Sequence, residues 1–295
     1  VTGKSSNISL VNLKKARNVI SVIALILFVI VSILPLVSFA LESVILRPGD
    51  YSPSNFTLQF WIGTAEENSI ANNEAGLLRN PNLWKALWNS LKLSIICAIT
   101  AGSLGFLAGY GIVRGRGTKL AKVVDNLAFF PYLMPSMAFS VIYLSMFSTR
   151  HGPIPALYGS FFLLVLIGTV KYMPFASRSG INSMLQLSNQ IEEAGEIIGV
   201  SWPKRMGRLV IPIQKSSFIS GYLLPFTSCM RELSLFVLLV TPQNRVLTTL
   251  LFQYNEKGWS QYSNGINLMI VIIVLVVNAV VNKVTGASID KGIGG

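Results

Sequence analysis

Six apolar runs, each near the roughly 20 residues that an α-helix needs to cross a bilayer core, constrain this chain more than any other feature. They cover residues 19–41, 91–113, 123–147, 157–177, 218–240 and 266–282. An open strand cannot satisfy its backbone groups in hydrocarbon, so each run predicts a helix. Composition agrees. Of 295 residues 52% are hydrophobic and 12% charged, whereas a soluble domain carries about a quarter charged residues. The expected fold class is an all-α integral membrane protein with six transmembrane helices.

A net charge of +12 raises the possibility of a nucleic-acid partner, but the bases form no single stripe. With the N-terminus inside and six crossings, Lys4, Lys14, Lys15, Arg17, Arg114, Arg116, Lys119, Lys122, Arg178, Lys204, Arg205, Arg208, Lys215, Lys283 and Lys291 all fall on the cytoplasmic side. Only Arg47, Arg79, Lys85, Arg150, Arg245 and Lys257 fall opposite. That asymmetry is the positive-inside rule. It predicts a multi-pass protein with a cytoplasmic N-terminal segment (1–18), a transmembrane domain (19–282) and a short cytoplasmic tail (283–295), and it argues against nucleic acid.

Catalysis finds little support. Cys97 and Cys229 lie in apolar runs and read as small buried hydrophobes. With the single His151 they cannot make a four-ligand zinc site, so no metal is expected. Gly3-Lys4-Ser5 ends like a phosphate-binding loop but lacks the earlier glycine and the preceding strand. The first apolar run is longer than the core of a cleavable signal peptide.

Ala101, Gly105 and Gly109 recur every four residues in the second run, a small-residue face that admits a close helix neighbour. Pro131, Pro135, Pro174 and Pro225 predict bends. The outer loop 42–86 holds five acids against three bases, and its Trp61 and Trp84, with Trp88 just beyond, suit the membrane interface.

The cytoplasmic loop 180–217 is the most informative segment. Asn189 with Glu192 reads as a capping box for a short helix that Gly199 ends. Ser201 and Pro203 start a second helix carrying Lys204, Arg205 and Arg208, with Pro212 helping to stop it. Glu193-Ala194-Gly195, three residues, Gly199, nine residues, then Leu209-Val210-Ile211-Pro212 resembles the EAA signature of ABC importer permeases. Gly195 replaces that signature's second alanine, and Leu209 and Ile211 replace its isoleucine and leucine. Asn89-Ser90-Leu91, entering the second run, is similar to the Asn-Thr-Leu start of this span in the type I (MetI-like) permeases, and residues 105–116, Pro131 to Pro135 and Arg231-Glu232-Leu233 look like that family's ferric-iron branch.

The resemblance implies a non-catalytic permease subunit in a bacterial plasma (inner) membrane. It implies Glu193, Ala194, Gly195, Gly199 and Pro212 as the residues coupling it to an ATPase. Two ATP-binding-cassette subunits, which hold ATP and magnesium, a second permease copy or homologous half, and an extracytoplasmic solute-binding protein are the implied partners. No cofactor is expected in this chain. Ferric iron is the solute most nearly implied, with polyamine, phosphonate or an oxyanion as alternatives. An ion-gradient secondary transporter is the rival of another class, and a membrane enzyme lacks a convergent catalytic set.

Arg231 and Glu232 fall in the middle of the fifth run, with Thr227 and Ser228 nearby, and Lys171 falls in the fourth. Charges there cost about 2.5–3.5 kcal/mol each on insertion scales, so they should face the bundle interior, a wet cavity or one another. Either a translocation pathway or a structural pair would account for them. Lys171 is expected roughly 10 Å nearer the cytoplasm than Glu232, too far for a direct bridge.

Overall fold

The computed structural model describes residues 16–68 and 71–286. Lys4, Lys14, Lys15 and Lys291, the Gly3-Lys4-Ser5 fragment, most of segment 1–18 and the end of the tail lie outside the described residues. Among those described the chain is almost wholly helical and contains no strand beyond two isolated bridges.

The apolar runs become α1 (Ala16–Glu42), α2 (Pro81–Arg114), α3 (Lys119–Leu133), α4 (Ser136–Phe147), α5 (Phe161–Gln186), α7 (Lys215–Met230) and α9 (Ser260–Thr285), with α6 (Asn189–Ile197) and α8 (Leu247–Glu256) between them. Four of these, α1, α2, α5 and α9, are long and apolar enough to cross a membrane, and α3 with α4 adds a fifth if the bent pair is one span. No residue of α1 is buried, and it packs along α9. Its Leu25, Phe28 and Val31 are exposed, as a lipid-facing helix requires.

Two expected spans are broken. The third bends by 104° between α3 and α4. Pro135 has no N–H to return to the carbonyl four residues earlier, so the helix stops at Leu133 and restarts at Ser136. Pro131, Pro174 and Pro225 lie inside helices that continue past them. The fifth span is helical only to Met230; residues 231–240 fold as turns that re-enter the interior, with Leu235, Phe236 and Leu239 fully buried. Glu232 Oε1 accepts from Leu235 N at 3.1 Å and caps that re-entry. Arg231 and Glu232 are therefore at a helix end, not in mid-helix, and the 100° helical spacing between them does not apply.

The expected small-residue face holds the closest helix pair together. A Cβ on Gly105 would collide with Ala176 Cβ, and one on Gly109 would lie 2.7 Å from Gly180 C. Ala101 is fully buried on the same face. Gly180 packs on the backbone of Phe106, and α5 stays helical to Gln186. The loop expected from residue 180 thus begins near Leu187. Cys97 and Cys229 are buried free thiols in this core.

At the end of the bundle away from residue 114, α2 starts at Pro81, about ten residues before the expected span, capped by Asn80, whose side chain accepts from Asn82 N. Asn80 also belongs to a buried polar hub. Asn80 Nδ2 donates to Glu74 Oε1 (2.6 Å) and Tyr254 OH (2.9 Å), Tyr254 donates to the same Glu74 oxygen (2.8 Å), and Tyr262 donates to Glu74 O (2.7 Å). Burial, then the Glu74 hydrogen bond, push the Tyr254 phenol well above its ordinary range. The tryptophans divide: Trp84 and Trp88 are exposed, while Trp61 is partly buried and donates to Ser43 Oγ at 3.1 Å. Asn89 Nδ2 donates to Arg245 O (3.0 Å) and Ser90 Oγ accepts from Leu247 N (2.7 Å), so the start of the second apolar run ties down the chain returning from the re-entrant turns.

Candidate functional site: a charged cavity and an elbow

The two helix breaks meet. A cavity of about 390 Å³ is lined by Tyr132 and Ser136 on either side of the first break, by Lys171, Tyr172 and Phe175 of α5, and by Ser228, Arg231 and Glu232 at the second. Lys171 Nζ donates to Pro131 O at 3.1 Å and also to Met134 O. Pro131 O is the carbonyl that Pro135 leaves without a helical donor, so Lys171 caps the broken end. Its charge is thereby held beside the cavity. Glu232 Oε2 accepts from Tyr172 OH at 3.3 Å. Arg231 Nε donates to Thr227 O at 3.1 Å, and its terminal nitrogens have no described partner.

Of the five residues expected at a pathway, four line this cavity: Lys171, Ser228, Arg231 and Glu232. Thr227 does not. It is buried, and its hydroxyl donates to Leu224 O within α7. No Lys171–Glu232 ion pair occurs among the described residues, although both line this cavity. Tyr132, Ser136, Tyr172 and Phe175 join the cavity without having been expected. Nothing in a single sequence distinguishes a cavity-facing tyrosine from a core one.

The elbow follows the C-terminal end of α5. Its first limb, α6, starts one residue earlier than expected, because Ser188, not Asn189, is the cap and accepts from Gln190 N at 3.3 Å. Asn189 and Glu192 turn instead to α2. Arg114, the last residue of α2, donates through Nε to Glu192 Oε1 at 3.1 Å and through its terminal nitrogens to Glu192 and Asn189. Tyr110 OH donates to Glu192 Oε2 at 2.9 Å. A capping box needs the carboxylate free to reach back, and here a guanidinium claims it.

Gly199 ends α6 as expected. Its φ of +75° is left-handed, and Val200 N to Gly195 O (2.9 Å) with Gly199 N to Glu196 O (2.8 Å) completes a Schellman turn. The second limb runs through Trp202–Arg205, a π turn at Met206–Val210 and Ile211–Ile213. Pro212 lies inside its last turn, and the break falls at Gln214 (φ −100°, ψ 21°), so Pro212 does not stop this limb. Gly195 has a packing reason: a Cβ there would come within 3.0 Å of Arg205 Cδ, and Arg205 bonds Val200 O (2.9 Å) and Glu196 (3.4 Å). Met206 and Val210 bury against Phe106 and Met184, which fixes the elbow's inner face on α2 and α5. Its outer face exposes Glu193, Ala194, Gly199 and Pro212 together with Ile197 (85% exposed) and Ile198 (76%).

Broken helices around a charged cavity, inside an otherwise apolar bundle, define a membrane transport protein, since irregular backbone at membrane depth is tolerated where it lines such a cavity. Residues 101–288 match the model of the binding-protein-dependent transport system inner membrane component. The chain belongs to that family, whose members are transport components rather than catalysts. It is 23% identical over 261 residues, 88% of this chain and 92% of the relative, to a Salmonella typhi protein named as a putative 2-aminoethylphosphonate transport system permease, PhnV. It is 24% identical over 189 residues, 63% of this chain and 36% of the relative, to the Fe(3+)-transport system permease protein FbpB 2 of Haemophilus influenzae. The fold is shared with a chain of a bacterial alginate ABC transporter (TM-score 0.67, 13% identity, covering 92% of this chain and 96% of that one). It is shared also with the MetNI methionine ABC transporter (TM-score 0.58, 16% identity, 68% and 94%).

Proposed function

We propose that this chain is the permease subunit of an ATP-driven importer and moves a small solute, delivered by an extracytoplasmic binding protein, by alternating access. Two ATPase subunits holding ATP and magnesium, and a second permease copy or homologous half, complete the machine in a bacterial inner membrane with both termini of this chain cytoplasmic. Glu193, Ala194, Gly199 and Pro212 face the ATPase, with Gly195 packed beneath. The observation that carries this reading is the two-faced elbow. One face is exposed and apolar enough to receive a partner, and the other is bolted through Glu192 to Arg114 and Tyr110 at the end of α2. A push on such an elbow tilts α2 and α5 instead of bending a loop.

Charge selects among the solutes. Arg231 and Lys171 against one carboxylate, Glu232, give the cavity an excess of positive charge. Ferric iron would meet two cations there, whereas a phosphonate would meet the free end of Arg231 and the Ser136 and Ser228 hydroxyls. An amine on the same solute would find Glu232. We therefore favour a small amino-phosphonate over ferric iron, polyamine or a simple oxyanion, with Arg231, Glu232, Lys171 and Ser228 on its path. The test is uptake of 2-aminoethylphosphonate and of ferric iron into vesicles holding the assembled complex. Arg231→Gln should lower phosphonate uptake about tenfold per assembled complex. A fall only in proportion to lost complex would defeat the pathway role, ferric uptake alone would defeat the solute, and uptake without ATP would favour a secondary transporter.

A further inference from the structure

A second cleft, distinct from the charged cavity, opens at the elbow end of the bundle. It has a volume of about 260 Å³ and lies where the last turn of α2, the first turns of α3 and the last turns of α5 converge. Arg116, Lys122, Arg178 and Asp125 line it. Its remaining wall is apolar and includes Ile112, Val113, Ile181 and Leu185.

The charges here are unbalanced. Arg178 pairs with Asp125 at 3.1 Å and lies 4.8 Å over the Phe129 ring, so one cation and the one acid are mutually satisfied. Arg116 and Lys122 have no ion-pair partner among the described residues. Arg116 is brought to the cleft by a tight turn that needs Gly117, whose φ is +93°. Topology alone requires only that bases flank a span. It does not require two unpaired ones to share a cleft with an apolar wall.

We infer that this cleft binds a phosphate-bearing headgroup, that of an anionic phospholipid in the leaflet on the elbow side. The phosphate meets Arg116 and Lys122, and the first part of the acyl chains lies along Ile181 and Leu185. Basic pockets between transmembrane helices are suited to such headgroups. Because Arg116 is two residues beyond Arg114, a bound headgroup also stiffens the α2 end that holds Glu192. The inference does not depend on which solute is moved.

The test uses the full chain purified in neutral detergent, with phosphatidylglycerol as the probe and native mass spectrometry to count retained lipid. Phosphatidylglycerol should be retained over phosphatidylcholine, and the Arg116→Gln/Lys122→Gln double variant should bind it roughly 30-fold more weakly. Lys85→Gln, at the opposite end of α2, should leave retention unchanged, and Arg116→Lys/Lys122→Arg should preserve it. Both residues of the double variant are exposed, so loss of fold is not expected, and an unchanged melting temperature checks that. Equal retention by wild type and double variant overturns the proposal. Inorganic phosphate displacing the lipid at comparable concentration overturns the lipid source and makes the cleft a site for a soluble anion.

Discussion

Arg114 Nε donates to Glu192 Oε1 at 3.1 Å, joining the last residue of a 34-residue helix to the first turn of the elbow. The pair is mostly buried, and Tyr110 takes the other carboxylate oxygen. Removing one member strands the other, so Arg114→Ala should weaken elbow docking by about 2–3 kcal/mol. Hydrogen exchange at residues 189–213 should rise while α2 and α5 stay protected. Glu192→Gln, which can still accept from Tyr110, should have a smaller effect. Unchanged elbow exchange in Arg114→Ala would show that the apolar contacts of Met206 and Val210 hold the elbow unaided.

Gly199 sits at φ +75° in the turn between the elbow's limbs. An alanine there adds no clash, since the space around its Cβ is open, but it incurs the left-handed backbone penalty. Gly199→Ala should cost about 1 kcal/mol, and Gly199→Asn less. Local exchange of the amides of Gly199 and Val200 measures it. Equal protection in the alanine and asparagine variants would contradict the strain argument.

At the α2–α5 contact the limit is steric. Gly105→Val and Gly109→Val each drive side-chain atoms into backbone of α5 that lies within 2.9 Å of where the new Cβ would stand. Each should destabilise by about 1–3 kcal/mol, lowering the melting temperature in detergent and the yield of assembled protein. Gly111→Val, whose Cβ would meet open space, is the control.

The Glu74–Tyr254 hub predicts an alkaline limit. The Tyr254 phenol is raised in the folded protein above its ordinary value near 10. Its contribution to stability is therefore complete below about pH 10 and is lost as pH rises above that towards the folded-state value. Melting temperature measured between about pH 8 and about pH 11 should fall more steeply for wild type than for Tyr254→Phe, which has no phenol to ionise. Parallel curves would remove Tyr254 from the alkaline transition.

Much of this protein was legible in its sequence, because lipid leaves few choices. Apolar run length predicts most of the helices, Ala101, Gly105 and Gly109 at four-residue spacing predict the close pair, and Gly199 predicts the joint of the elbow, whereas Ser201 stands at the expected N-cap position without a side-chain cap bond. Those features are local or periodic, and one residue's chemistry decides each. Where the chain breaks, and what the break builds, belonged to the tertiary structure. Pro131, Pro135, Pro174 and Pro225 look alike as letters, yet only Pro135 marks a break, where Lys171 from another helix supplies the donor that the backbone lost. Likewise Glu192 reads as half of a capping box until Arg114, 78 residues earlier, arrives to claim it. A partner distant in sequence carries no local signal, and the competition for a buried carboxylate is settled only when helices pack.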